Sequence, residues 1–286
     1  MFAQVALSGF VLGCIYSLFA VGLVVLYRAT TVLNFSQGEL FMLGPYFVFT
    51  GAVLLHMNYG FSILLAILVV ALMGGIVFKC AFERLIDAPH INQVLVTVAL
   101  VYVFQGMARV IWGSDIGFIR PLFGHDSTEL LGIVITTQEL CILVAVAIFT
   151  ITFSWVFLFT KAGKIMQAAS QSLRGASLIG INVLKFHATM WIVSAGIAAL
   201  TGILIGPLIS VTPEMGTDIM LKAFAAMTLG GFGSIPGALV GGVLMGIIEN
   251  LTAFYISTAL REISAFSIII VILLVKPTGI MGVRLK

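Results

Sequence analysis

The sequence predicts an all-α, polytopic membrane protein with eight or nine transmembrane segments, some of them broken or re-entrant. Three observations carry that prediction. Hydrophobic residues make up 61% of the chain and charged residues 9%, with a mean hydropathy of +1.21, outside the range of soluble domains. Apolar stretches long enough to cross a bilayer recur along the chain. One such region is interrupted by Gly230-Gly231-Phe232-Gly233-Ser234-Ile235-Pro236-Gly237, which no straight membrane helix favours.

The first apolar segment, Ala3 to Tyr27, is far longer than a signal-peptide core and lacks a basic leader, so it is expected to remain as a spanning helix. Leu40 to His56, Phe61 to Phe82, Val94 to Trp112, Leu140 to Thr160 and Phe186 to Ile205 follow as spans. Two short pieces then flank the glycine break, and Ile263 to Val275 closes the series. The run Ile219 to Leu229 covers about 16 Å at about 1.5 Å per residue, against a hydrocarbon core of roughly 30 Å, and is too short to cross. Irregular backbone at membrane depth is tolerated where protein buries it or where it lines a watery cavity. The break therefore reads as part of a solute path or gate, formed by a re-entrant hairpin or a bent pair of crossings.

Arg28, Lys79, Arg84, Lys161, Lys164, Arg174, Lys185, Lys276, Arg284 and Lys286 fall on one set of alternating loops. The other set carries Asp115, Asp126, Glu129, Glu139, Glu214, Asp218 and Glu262, with Arg120 and Arg261 as its basic members. The positive-inside rule makes the first set cytoplasmic, the N-terminus external and the C-terminus cytoplasmic. The net charge of +3 is spread over these loops and speaks for orientation, not for a nucleic-acid partner. Cys14, Cys80 and Cys141 lie in apolar stretches and read as small core residues. They show no metal-ligand spacing, nor do His56, His90, His125 and His187, so no metal site is expected.

Two connections are long. Gly113 to Glu139 reads as an ordered external loop with a short helix. In the inner connection, Ile165 to Ile179 reads as one amphipathic helix under the membrane, resting on lipid headgroups or docking a cytoplasmic motor.

A second break, Asn34-Phe35-Ser36-Gln37-Gly38-Glu39, leads into Leu40. Ser36 and Glu39 have the spacing of a capping box, so Glu39 is either a cap or a polar residue of the path at the start of a half-helix. Half-helix N-termini offer free N–H groups to polar solutes. The candidate path is accordingly Asn34, Ser36, Gln37, Gly38 and Glu39 together with Gly230, Gly231, Gly233, Ser234, Pro236 and Gly237. Within it Gly231 and Gly233 supply unusual backbone angles and Pro236 stops the preceding helix. Elsewhere Arg109 is expected to snorkel, Asp218 to pair with Lys222, and Glu249 with Asn250 to find structural partners.

Asn34 to Glu39 followed by Met42-Leu43-Gly44, the stretch Ala176-Ser177-Leu178-Ile179-Gly180-Ile181-Asn182, the glycine string from Leu229 to Ala238 and the ending Lys276-Pro277-Thr278-Gly279-Ile280 resemble the permease family of branched-chain amino acid ABC importers, whose relatives also handle urea and amides. The resemblance covers nearly the whole chain. It implies a single transmembrane permease domain over 1–286 in a bacterial inner membrane. Its partners would be a second, related permease, two cytoplasmic ATPases and a periplasmic binding protein. It also implies a coupling region that sits in a groove of the ATPase, here Gln167, Ala168, Ala169, Gln171, Ser172, Arg174, Gly180 and Asn182. The family often carries an acidic pair where this chain has Gln171 and Ser172. ATP and its magnesium would belong to the partner ATPases, and no cofactor to this chain, which has no Gly-x-x-x-x-Gly-Lys-Ser/Thr loop. Two other classes are open to the residues: a stand-alone carrier or channel, which shares broken helices, and an intramembrane serine protease built on Ser234 and His187.

Overall fold

The computed structural model describes residues 1–286 other than 87, 114–116, 118, 122–126, 131–132, 277 and 283–286. Its elements in chain order begin with α1 (Phe2–Thr30), α2 (Gln37–Phe49) ending in a π-turn (Thr50–Leu54), α3 (Tyr59–Val77) ending in a π-turn (Phe78–Phe82), and α4 (His90–Trp112). Then come β1 (Ser127–Leu130), β2 (Ile133–Thr136), α5 (Thr137–Phe159), α6 (Lys161–Gln171), α7 (Leu173–Leu178) and α8 (Val183–Ile205). The last three are α9 (Met215–Gly230), α10 (Ile235–Tyr255) and α11 (Leu260–Val275). Among the described residues six helices are long and apolar enough to cross a membrane: α1, α3 with its extension, α4, α5, α8 and α10.

α1 is the central post, with 89% of its apolar window buried, against 22% for α4 and 11% for α5 on the periphery. α10 packs along it antiparallel. Gly9 and Gly13 of α1 lie against Ile247, Gly246 and Val243, and Gly242 lies against Ser17. Small residues bring the two backbones together, which compensates in a membrane for the missing hydrophobic drive between helices. Polar side chains then close onto main-chain carbonyls: Ser17 Oγ donates to Leu239 O at 2.6 Å and Asn250 Nδ2 to Val5 O at 2.7 Å.

Several expectations need correction. The piece after the glycine break is not short, since α10 has 21 residues and is a candidate span. Within it Glu249, fully buried, accepts from Lys222 Nζ at 2.8 Å and Arg261 Nε at 2.6 Å, so one acid joins α9, α10 and α11. Lys222 is therefore engaged by Glu249, where a pairing with Asp218 was expected. Arg109 pairs with Glu214 instead of reaching only for water. The outer connection carries an antiparallel hairpin, Ser127 opposite Thr136, and no described short helix before α5, a departure from the all-α expectation. The β-branched run Ile133 to Thr136 favours that pairing. Asp115, His125 and Asp126 in that loop, like Arg284 and Lys286, lie outside the described residues. Cys80 is exposed and Cys141 half-buried, so of the cysteines Cys14 alone is a core residue.

Basic residues gather at one end of the bundle. There Arg28 at the end of α1 lies over the Phe157 ring at 5.8 Å, and Phe78 meets His187 edge-on at 6.2 Å. The Arg109–Glu214 pair and the contact of Gln4 with Val134 mark the other end.

Candidate functional site

After α1 the chain reverses at Thr31, whose φ of 57° is the left-handed turn of a helix C-cap. It then climbs back into the bundle. Asn34 Oδ1 accepts from Ser36 N at 3.1 Å and Ser36 Oγ at 2.6 Å, and Asn34 Nδ2 donates to Gln37 Oε1 at 3.3 Å. Gln37 Nε2 donates to Ser194 O, and Ser194 Oγ to Gly22 O, both at 2.8 Å. Ser194 lies about 17 Å along α8 from its start, at about 1.5 Å per residue, so the first turn of α2 is fastened deep within the bundle.

The capping box does not form. Ser36 makes no side-chain cap bond, because its hydroxyl is spent on Asn34. Glu39 turns outward from its own helix to α4 and α9. Its Oε1 accepts from Gln105 Nε2 and from Thr217 Oγ1, each at 3.1 Å, and Gln105 Nε2 also reaches Thr217 Oγ1 at 3.1 Å. Glu39 is fully buried and its Oε2 has no hydrogen-bond partner among the described residues. Gly38 and Gly216 touch backbone to backbone at the starts of α2 and α9, where a Cβ on either would meet the other's carbonyl. Two helix N-termini thus converge on one buried carboxylate, an arrangement suited to holding a polar group away from water.

A cleft of about 470 Å³ opens beside this junction, lined by Gln105 and Thr217 with Phe35, Val98, Tyr102 and Met220, and with Glu214 and Asp218 toward one end. Apolar walls with a few converging polar groups are the usual composition of a small-solute site.

The glycine break lies elsewhere. Gly216 and Gly230 are the two ends of α9, about 21 Å apart by helix rise. The turn after Gly230 therefore sits at the basic end of the bundle, where Phe232 packs on Tyr27 at 5.8 Å. Gly231 (φ 111°) and Gly233 (φ 78°) take the left-handed angles expected of them. A Cβ at Gly231 would fall 2.7 Å from Thr278 O, because the C-terminal segment straps this turn through Ile280 N to Leu229 O and Met281 N to Gly230 O, both at 2.9 Å. Gly237 packs on Gly230. Ser234 caps α10, accepting from Gly237 N at 3.1 Å. Pro236 is in the first turn of α10, so it starts that helix and does not stop the one before it. The structure does not bring the two breaks together at one point; it sets them at opposite ends of α9.

The protease reading has no support in this geometry. Ser234 Oγ serves Gly237 N–H, and His187 Nε2 has no partner among the described residues, so Ser234 and His187 share no hydrogen bond.

The inner segment forms two helices, not one, because Ser172 leaves helical geometry (φ −158°, ψ 108°) and caps α7 through Gly175 N. Gln167 donates to Phe157 O, Ala169 is buried, and Asn182 caps α8 through Lys185 N. Ala168 is half-buried in α6, Arg174 lies in α7, and Gln171, Ser172 and Gly180 are on the exposed side with the bare side chains of Leu178 and Ile179. Gln105, Thr217 and Gly216 were not singled out from the sequence. A lone amide in an apolar span, Gln105, was the available signal.

Long apolar helices around a buried polar junction, with a cleft beside it, define a multi-pass membrane permease. Comparison with known proteins fixes which kind. Residues 5–275 match the family described as branched-chain amino acid transport system, permease component. The chain is 30% identical to the high-affinity branched-chain amino acid transport system permease protein LivH of Salmonella typhimurium, over 98% of this chain and 96% of that one. It is 29% identical to the permease protein BraD of Pseudomonas aeruginosa, with the same coverage. It is 27% identical to the probable branched-chain amino acid transport permease LivH of Methanocaldococcus jannaschii, over 94% and 89%. No solved structure matches the chain. The chain belongs to the family of permease components of branched-chain amino acid transport systems, a transport component and not a catalytic enzyme. These relatives do not favour a stand-alone carrier.

Proposed function

We infer that this chain is the permease of an ATP-driven importer that moves branched-chain amino acids across a bacterial inner membrane by alternating access. It pairs with a second, related permease, two cytoplasmic ATPases that bind ATP and magnesium, and a periplasmic binding protein. Residues 1–286 act as one permease domain. The basic end of the bundle faces the cytoplasm, which puts the N-terminus outside and the C-terminus inside. Six long spans with the shorter α2, α9 and α11 make nine membrane segments, of which α2 begins within the bilayer.

The observation that carries this reading is the junction of Gly38 with Gly216 around Glu39, beside the cleft of about 470 Å³. The solute passes along α9 from that cleft toward the turn Gly230 to Gly237. The segment Gln167 to Asn182 delivers the movement of the ATPases, with Leu178, Ile179 and Gly180 as its contact surface. The test is to purify the assembly, identify its subunits, and measure which amino acid stimulates ATP hydrolysis with the matching binding protein. Stimulation by leucine, isoleucine or valine is expected. A chain that purifies without ATPases and transports alone contradicts the reading.

A further inference from the structure

The cleft beside Glu39 lies between α4 and α9, whose main chains do not pack along one another. Side chains bridge the two helices in two rungs. Gln105 Nε2 donates to Thr217 Oγ1 at 3.1 Å, and about one turn further out on each helix Arg109 pairs with Glu214. The rungs differ in kind. The inner one is neutral and its amide is buried, whereas the side chains of Arg109 and Glu214 are 44% and 56% exposed.

An ion pair so exposed adds little to stability, because water screens it and two long side chains must be held still to make it. Gln105 already ties α4 to Glu39 and to Thr217. The position of the outer rung gives it another use. Glu214 lines the mouth of the cleft with Gln105 and Thr217, while Val98, Val101 and Leu221 supply an apolar wall. Opposite charges side by side before an apolar wall match a solute that carries an ammonium and a carboxylate on one carbon together with an aliphatic side chain. A solute with a single net charge would be attracted by one member of the pair and repelled by the other. The guanidinium stays charged and its forked N–H donors suit a carboxylate, and its exposure leaves donors facing water beside the bond to Glu214.

We propose, on the basis of the transport reading, that Arg109 and Glu214 are specificity-determining residues that receive the two charges of the amino acid at the outer mouth of the cleft. The ammonium donates to Glu214, the carboxylate accepts from Arg109, and the side chain turns to Val98, Val101 and Leu221. One ion pair between the helices is exchanged for two with the solute. Every charge stays paired as the solute leaves water, and the outer ends of α4 and α9 are released from each other.

The test is leucine uptake by the reconstituted importer, with the thermal midpoint of the purified permease measured alongside, for two double variants. Arg109→Gln with Glu214→Gln keeps a hydrogen-bonding rung without its charges. Uptake is expected to fall at least about tenfold while the midpoint stays within about 3 °C of wild type. Arg109→Glu with Glu214→Arg restores both charges on exchanged helices, and uptake is expected to return most of the way to wild type. Wild-type uptake by the neutral pair, a loss that comes with a larger fall in midpoint, or an exchanged pair as slow as the neutral one overturns the proposal. Wild-type importer that takes up no leucine in the same preparation contradicts the transport reading itself, so the two failures are distinguishable.

Discussion

Gly38 of α2 and Gly216 of α9 pack backbone to backbone, and each occupies the space that a Cβ on the other would need. This contact sets the starts of the two helices at the same depth and brings Thr217 to Glu39. Gly216→Ala cannot be absorbed by a flexible side chain, because the atoms it meets are main chain. The expected cost is about 1–3 kcal/mol, as for other overpacked sites, with a lowered thermal midpoint of the purified protein and reduced leucine uptake.

Glu249, fully buried, pairs with both Lys222 and Arg261. Glu249→Ala leaves two cations without their acid and is expected to destabilise the protein by about 3–5 kcal/mol, read as poor recovery from the membrane and a lowered midpoint. Lys222→Met should cost more than Arg261→Met, since the Lys222 side chain is 16% exposed and that of Arg261 42%.

The docking surface and the core of the inner segment separate by substitution. Leu178 is 84% exposed and Ile179 73%, so Leu178→Asp and Ile179→Asp should release the ATPase in co-purification while changing the permease's own stability by no more than about 0.5 kcal/mol. Ala169→Phe, at a buried position, should lower stability instead.

How far the sequence reached depends on what each residue depends on. Asn34 to Glu39 was legible because polar residues in an apolar chain need partners, and the left-handed glycines 231 and 233 because their neighbours already break a helix. The role of Gly216 was not legible, since Met215-Gly216-Thr217 has no local peculiarity and matters only through its contact with Gly38. Ser36 and Glu39 fitted a local motif, yet tertiary partners took both side chains: Asn34 the one, Gln105 and Thr217 the other. The partners of Glu249 were not legible either, since they come from α9 and α11.

Orientation is tested by cysteine labelling. A cysteine at exposed Ser172 should resist a membrane-impermeant thiol reagent in intact cells, and one at exposed Ser127 should react. The background variant replaces Cys80, which is itself exposed. The opposite pattern reverses the assignment from basic residues.

The most direct test of the path beside Glu39 is leucine uptake by the reconstituted importer carrying Glu39→Gln, with the thermal midpoint measured alongside. Glutamine keeps an oxygen where Oε1 accepts from Gln105 and Thr217, so folding should survive within about 1 kcal/mol. If the carboxylate meets the solute, uptake falls at least about tenfold, a loss of about 1.4 kcal/mol, in a protein that remains folded and assembled. Uptake at the wild-type rate would contradict the account and leave Glu39 as a fastener between α2, α4 and α9.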